Sequence, residues 1–287
     1  MLVAAFKHIA VVGLGLIGGS LVKSFRRTMP GSKLIGIDFQ NVVDAARHEL
    51  DDAFLPHEMA RALRDVDLVF LATPISRILS LLPAVAAAIR PGAIVTDVGS
   101  TKSAIVAEAQ KYFTGTRYFI GGHPMAGREK GGWENADAGL FENAAYVLTP
   151  SPNFPAPLVE DLSLFLQTIG ARVMILDAAT HDRGVADLSH LPQLLAVALM
   201  NFATRKDDSA ELRLPLSGSG FRDMTRLAAS PFGVWQDIFD SNKANVRESL
   251  QEFIATLQNL ARDLEHKNLE RSFTQANRLR ELISLRR

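Results

Sequence analysis

Along the first half of the chain, short apolar runs rich in Val and Ile alternate with segments whose apolar residues recur at helical spacing. The runs are HIAVVG, KLIGID, DLVFLATP, AIVTDVGS and RYFIGGHP. This alternation predicts a series of βαβ units. Because the runs are continuously apolar rather than alternating, the strands are expected to be covered on both faces, which implies a parallel sheet between helices. Two further predicted strands, AYVLTP and RVMILD, flank the helix-like LVEDLSLFLQTI, and the Pro-rich SPNFPAP (151–157) reads as a loop inside this domain.

After Asp177 the pattern becomes helical throughout. The expected architecture is an α/β Rossmann-type domain over residues 1–178 followed by an all-α domain over 179–287. The helical stretch with Leu188, Leu191, Leu194, Leu195, Val197, Leu199 and Phe202 is apolar nearly all round. A helix of that kind needs cover on several sides, so a homodimer joined through the helical domain is expected.

The 287 residues carry 31 basic and 31 acidic side chains, so no net field favours nucleic acid or an anionic membrane as partner. Cysteine is absent, which excludes disulfides, thiolate metal sites and thiol nucleophiles, and no metal is expected. The opening MLVAAFKHIAVVGLGLIGGSLV has the apolarity of a signal peptide, but Lys7 and His8 interrupt it. No apolar stretch approaches the roughly 20 residues of a membrane span. A cytoplasmic protein is expected.

Gly13, Gly15 and Gly18 form G-L-G-L-I-G directly after the first strand and at the start of a helix. That context suits a dinucleotide: the glycines allow a tight turn, close approach to a pyrophosphate and close helix packing, with the backbone of Leu16 and Ile17 at the helix N-terminus facing the negative charge. The second strand ends in Asp38, 20 residues after Gly18, where a carboxylate bonds a ribose 2′-hydroxyl and repels a 2′-phosphate. NAD is therefore expected over NADP.

In such sheets ligands bind beyond the carboxyl ends of the strands. Thr73 and Pro74, Ser100, and His123 in G-G-H-P-M-A-G end three of the later ones. The plain role of Ser100, or of neighbouring Thr101, is to cap the helix TKSAIVAEAQ. The glycines before His123 suggest room for a substrate or nicotinamide ring against the backbone.

Five segments, G-L-G-L-I-G-G-S (13–20), D-V-G-S-T-K (97–102), G-G-H-P-M-A-G (121–127), L-S-H-L-P (188–192) and G-F-R-D-M-T-R-L-A (220–228), resemble in order and spacing the prephenate and arogenate dehydrogenases of tyrosine biosynthesis. The resemblance runs from residue 8 to about residue 265 and fits the dehydrogenase without a fused chorismate mutase or regulatory domain. It implies that the ring carbinol of prephenate gives its hydride to NAD while the ring carboxylate leaves as CO2. His123 matches the family's catalytic histidine and would take the hydroxyl proton as a neutral imidazole. Ser100 would bond the same hydroxyl or orient His123.

The helical domain would then bind the carboxylates. Arg226 is the leading candidate because a guanidinium grips a carboxylate through two parallel bonds. Arg222 lies one helical turn earlier, His190 could donate to the side-chain carboxylate, and Trp235 has a family counterpart near the substrate. The alternatives are an arogenate or dual-specificity cyclohexadienyl dehydrogenase, a hydroxyacid dehydrogenase using a lysine in the helical domain, and a non-enzymatic dinucleotide sensor.

Overall fold

The structure is a computed structural model describing residues 6–128, 130–204, 214–266 and 268–284. Eight strands form one sheet: β1 (His8–Val12), β2 (Lys33–Ile37), β3 (Asp52–Phe54), β4 (Leu68–Leu71), β5 (Ile94–Asp97), β6 (Tyr118–Pro124), β7 (Ala145–Thr149) and β8 (Arg172–Ile175), in the order 3-2-1-4-5-6-7-8. In β1, Ile9 and Val11 enter the core on one face while Ala10 and Val12 enter the core on the other. This two-sided burial is what the continuously apolar runs predict.

The six strands β1 to β6 pair in parallel, but β7 runs antiparallel to β6, with Gly122 opposite Leu148. The sheet is thus mostly parallel, as the apolar runs imply, with one antiparallel pairing that the pattern does not reveal. A parallel return needs a crossover of a dozen or more residues, usually a helix. Between β6 and β7 the described residues form one short 3-10 turn, Trp133–Asn135, so the chain folds back. The strand β3 was absent from the predicted set; it has three residues, none fully buried, and no apolar run to betray it.

Helices α1 (Leu16–Thr28), α2 (Gln40–Ala46), α3 (Met59–Ala62), α4 (Ile75–Ala88), α5 (Ser103–Ala109) and α6 (Ala156–Gln167) cover the sheet. Beyond β8 the described residues form no strand. They comprise α7 (Ala178–Val185), a π-helical turn Ala186–His190, α8 (Leu191–Ala203), α9 (Ser219–Thr225), a 3-10 turn Arg226–Ala229, α10 (Phe232–Ser241), α11 (Lys243–Glu265) and α12 (Leu269–Ser284). No described helix is long and apolar enough to cross a membrane.

Two carboxylates from the helical part terminate helices of the sheet part. Asp237 accepts from both the amide and the hydroxyl of Ser76, at 2.8 and 2.7 Å, at the start of α4. Asp182 accepts from the amides of Lys102 and Ser103, at 2.7 and 2.8 Å, at the start of α5. Neither helix has a capping side chain of its own, since their N-cap positions are Pro74 and Lys102. Orphan amides at a helix start need such partners, and the helical domain supplies them.

Candidate active site

The turn after β1 meets the tip of β4 where the strand order reverses. Gly13 has φ +92°, and a Cβ there would lie 2.7 Å from the Ala72 carbonyl oxygen. A Cβ on Gly18 would lie 1.9 Å from the Gly13 carbonyl oxygen, whereas one on Gly15 would meet nothing within 4 Å. Gly13 and Gly18 thus serve the turn and the packing, and Gly15 faces open space. Gly15 caps α1 without a side chain, so the first-turn amides of Leu16 and Ile17 have no side-chain cap.

Below it lies a cleft of about 430 Å3 lined by Gly13, Gly15, Asp38, Thr73, Pro74 and Arg77 among others. Asp38 accepts from the Leu14 amide at 2.6 Å and the Phe39 amide at 2.7 Å, which fixes its carboxylate at the cleft. The Thr73 hydroxyl is buried without a hydrogen-bond partner among the described residues. An open glycine cradle, uncapped helix amides, a fixed carboxylate and an orphan hydroxyl are the donor and acceptor set a dinucleotide requires.

His123 is the penultimate residue of β6 and is buried. The two glycines before it do not open space for a ligand, contrary to the sequence reading. A Cβ on Gly121 would lie 2.3 Å from the Thr149 hydroxyl, and one on Gly122 would lie 2.5 Å from the Asp97 carbonyl oxygen. They let neighbouring strands close around the histidine. Beneath them lies a buried ion pair: Lys102, wholly enclosed, donates to Asp97 and, at 2.8 Å, to the Gly122 carbonyl oxygen. Asp97 in turn accepts from the Gly122 amide at 3.1 Å and the Gly99 amide at 2.8 Å. The backbone leading into His123 is therefore held from both sides.

The imidazole of His123 is bonded through Nδ1 to Nε2 of His181 at 2.8 Å, and Nδ1 of His181 is bonded to Asp182 at 2.8 Å. Burial pulls the His123 pKa well below 6.5, and the nearby Lys102 ammonium acts in the same direction. The ring is neutral at physiological pH, as a proton acceptor must be.

Ser100 lies in the loop after β5, half-buried. It does not cap α5, nor does Thr101; Asp182 holds that helix start, and the Thr101 hydroxyl is bonded to that of Ser241 at 2.8 Å. Ser100 is thus not consumed by capping. Among the described residues the hydrogen bond found on the His123 ring is to His181.

His190 is buried at the end of the π-turn, a backbone irregularity often found at functional sites. Asn242 donates through Nδ2 to the Asp182 carbonyl oxygen at 2.7 Å and lies 3.3 Å from His190 Nδ1. With Asn242 as donor, His190 Nδ1 accepts and its Nε2 carries the hydrogen. Burial lowers the His190 pKa to about 4, so it is a neutral donor. Trp235 stands edge-on to His190, with ring centroids 6.1 Å apart, and stacks on Phe239. Arg226 is exposed and opens the 3-10 turn after α9. That turn is anchored by Gln193, whose Nε2 donates to the Leu227 carbonyl oxygen at 2.9 Å. Arg222 donates to the Ser217 carbonyl oxygen at 2.8 Å, and Arg226 follows α9 directly at the start of the 3-10 turn.

Residues 21–175 match the family model described as the prephenate dehydrogenase nucleotide-binding domain, and residues 177–281 match the prephenate dehydrogenase dimerization domain. The chain belongs to the prephenate dehydrogenase family. It is 34% identical to a prephenate dehydrogenase of Lactococcus lactis subsp. cremoris over 97% of this chain and 78% of that protein. Arogenate dehydrogenase of Synechocystis superposes with a TM-score of 0.85 at 34% identity, covering 96% of this chain and 99% of the other. Prephenate dehydrogenase of A. aeolicus, solved with hydroxyphenyl propionate and NAD+, gives a TM-score of 0.87 at 28% identity, covering 96% and 98%.

Within this prephenate dehydrogenase family member, the sequence reading passed over His181, Asp182, Lys102, Asp97 and Asn242. A His-Asp pair in the first helix after the sheet was a usable signal for two of them, since a carboxylate beside a histidine commonly fixes its tautomer. For Lys102 and Asp97 the pattern holds no such sign.

Proposed function

We propose that this chain is a cytoplasmic, NAD-dependent prephenate dehydrogenase that converts prephenate to 4-hydroxyphenylpyruvate, CO2 and NADH in tyrosine biosynthesis. The observation that carries this reading is His123, a buried neutral imidazole at the carboxyl end of a strand in a dinucleotide-binding sheet. When bound in the glycine cradle, NAD supplies the hydride acceptor. His123 accepts the ring hydroxyl proton and Ser100 bonds the same oxygen. Gly13, Gly15, Gly18, Asp38, Thr73 and Pro74 hold the cofactor, and Arg226, with His190, Arg222 and Trp235, holds the carboxylates and the ring. Residues 1–178 form the cofactor domain and 179–287 the substrate and dimerisation domain. NADH formation measured with prephenate, arogenate and simple hydroxyacids side by side tests the assignment. Turnover of prephenate is expected, and hydroxyacid turnover alone overturns it.

The second reading, an arogenate or dual-specificity enzyme, is favoured by the 34% identity to an arogenate dehydrogenase. The same assay separates it. A hydroxyacid dehydrogenase with its acid-base lysine in the helical domain has less support: the lysine described there, Lys243, is exposed at the start of α11.

Arg226→Lys keeps the charge and loses the two-pronged grip. A charge-assisted bond contributes about 1.5 to 3 kcal/mol, so KM for prephenate should rise about 10- to 150-fold at 1.4 kcal/mol per decade, with NAD affinity unchanged. Wild-type behaviour of this variant in steady-state kinetics would remove Arg226 from the anion site.

The homodimer rests on uncovered apolar surface. Leu188 is 84% exposed, Leu216 81% and Phe202 60%. An apolar groove of about 440 Å3 runs between Leu199, Phe202, Leu214, Leu216 and Phe221. Exposed patches of this kind mark interfaces, and among the described residues the helix read as apolar on too many sides is left open on one of them. Sedimentation at micromolar concentration should give the mass of a dimer, and a stable monomer would refute this interface.

A further inference from the structure

The direction of each hydrogen bond behind His123 follows from the far end of the chain of contacts. Burial alone would raise the Asp182 pKa, but the bonds it receives from His181, Ser103 and Lys102 more than offset this and hold it below the usual carboxylate range. Asp182 is therefore ionised at neutral pH and can only accept. Since Asp182 accepts, Nδ1 of His181 carries the hydrogen, and in a neutral ring Nε2 then presents a lone pair. That lone pair faces Nδ1 of His123 at 2.8 Å, so Nδ1 of His123 is the donor and its Nε2 is left unprotonated.

We propose that His181 and Asp182 are positioning residues that fix His123 in the tautomer able to accept a proton at Nε2. The inference rests on the reading of His123 as the base for the substrate hydroxyl. When that proton arrives at Nε2, the charge on the His123 ring is shared through Nδ1–H to His181 and through the His181 Nδ1–H to Asp182. No proton leaves the protein in this step, and the carboxylate remains ionised.

The placement of the pair adds a consequence. His123 ends a strand of the sheet, whereas His181 and Asp182 lie on α7, the first helix beyond it. Asp182 is itself anchored by the amides at the start of α5 and, through its carbonyl oxygen, by Asn242. The base is completed where the two parts of the chain meet. A histidine fixed by a buried carboxylate behind it is a recurrent solution in hydrolases; here a second imidazole spans the gap between base and carboxylate.

His181→Gln tests the assignment. General-base help as a whole is worth about 100- to 10,000-fold, and loss of tautomer control should remove part of it, so kcat should fall about 10- to 100-fold. NAD affinity, followed by fluorescence titration, should stay within about 2-fold of wild type because the cofactor cleft is untouched. In a His123→Asn background the same change should cost less than about 2-fold in kcat, because the group it acts through is gone. A merely structural role would instead add its loss in both backgrounds. The second measurement needs no variant: nitrogen-15 chemical shifts of the wild-type imidazoles near pH 7 should show His123 protonated at Nδ1 and unprotonated at Nε2. His181→Gln turnover within about 2-fold of wild type, or a hydrogen on His123 Nε2, would overturn the proposal. If the wild type oxidises neither prephenate nor arogenate, the functional reading fails by itself, and the nitrogen shifts still decide the tautomer.

Discussion

His123→Asn should lower kcat for prephenate by about 100-fold or more, the range expected for losing a general base, while leaving NAD affinity close to wild type. Asparagine keeps a polar side chain of similar reach at the end of β6 but has no lone pair basic enough to take a hydroxyl proton. The pH profile gives a second, independent reading. A base works in its neutral form, and burial, reinforced by the Lys102 ammonium, depresses the His123 pKa well below 6.5. The neutral fraction therefore persists as pH falls through 6.5, and kcat/KM should stay on its plateau there before declining at lower pH. An ordinary exposed histidine would already be half protonated near 6.5. An Asn variant with substantial turnover would sink the role assigned to His123, and an acid limb breaking at or above 6.5 would sink the burial account of its pKa.

The parts of this site that could be read from the sequence are those whose information is local. The glycine turn, Asp38 at the end of the second strand and His123 at the end of β6 each sit in a contiguous segment whose pattern carries its own context. The structure places all of them at the carboxyl edge of the sheet. What escaped is relational. His181 is 58 residues from His123 and its partnership with it exists only through the packing of α7 against the sheet. Lys102 reads as an ordinary basic residue after a strand, yet it is wholly enclosed because Asp97, five residues back, turns inward to meet it. Strand direction is equally invisible: AYVLT has the same apolar pattern whether it runs parallel or antiparallel, and the lack of a helical pattern in the preceding loop was the one available clue. The glycines beside His123 show the converse error, where a correct sign of tightness was taken for space when the tightness came from Thr149 and Asp97.

Lys102→Met should produce a large loss of stability, and its size follows from what it leaves behind. The lysine and Asp97 are both wholly buried, and they bond each other. Burial draws the Lys102 ammonium below the ordinary lysine range against the pull of Asp97. Methionine replaces the aliphatic stem with similar volume, so packing changes little. The carboxylate, however, loses its cation and keeps, among the described residues, the Gly99 and Gly122 amides. Removing one partner of a buried ion pair costs about 3 to 5 kcal/mol, and at roughly 2 to 4 °C per kcal/mol for chains of this order of size the melting temperature should fall by about 6 to 20 °C. The Gly122 carbonyl oxygen also loses its donor, one residue before His123, so kcat should decline in the variant at temperatures where it remains folded. Adding Asp97→Asn to Lys102→Met removes the stranded charge, and the double variant should melt above the single one. This reversal separates an electrostatic cause from a packing defect, which a second substitution in the same pocket would only deepen. If Lys102→Met melts within about 2 °C of wild type, the pair does not hold the backbone behind His123, and the alignment of that strand end must come from the glycine packing alone.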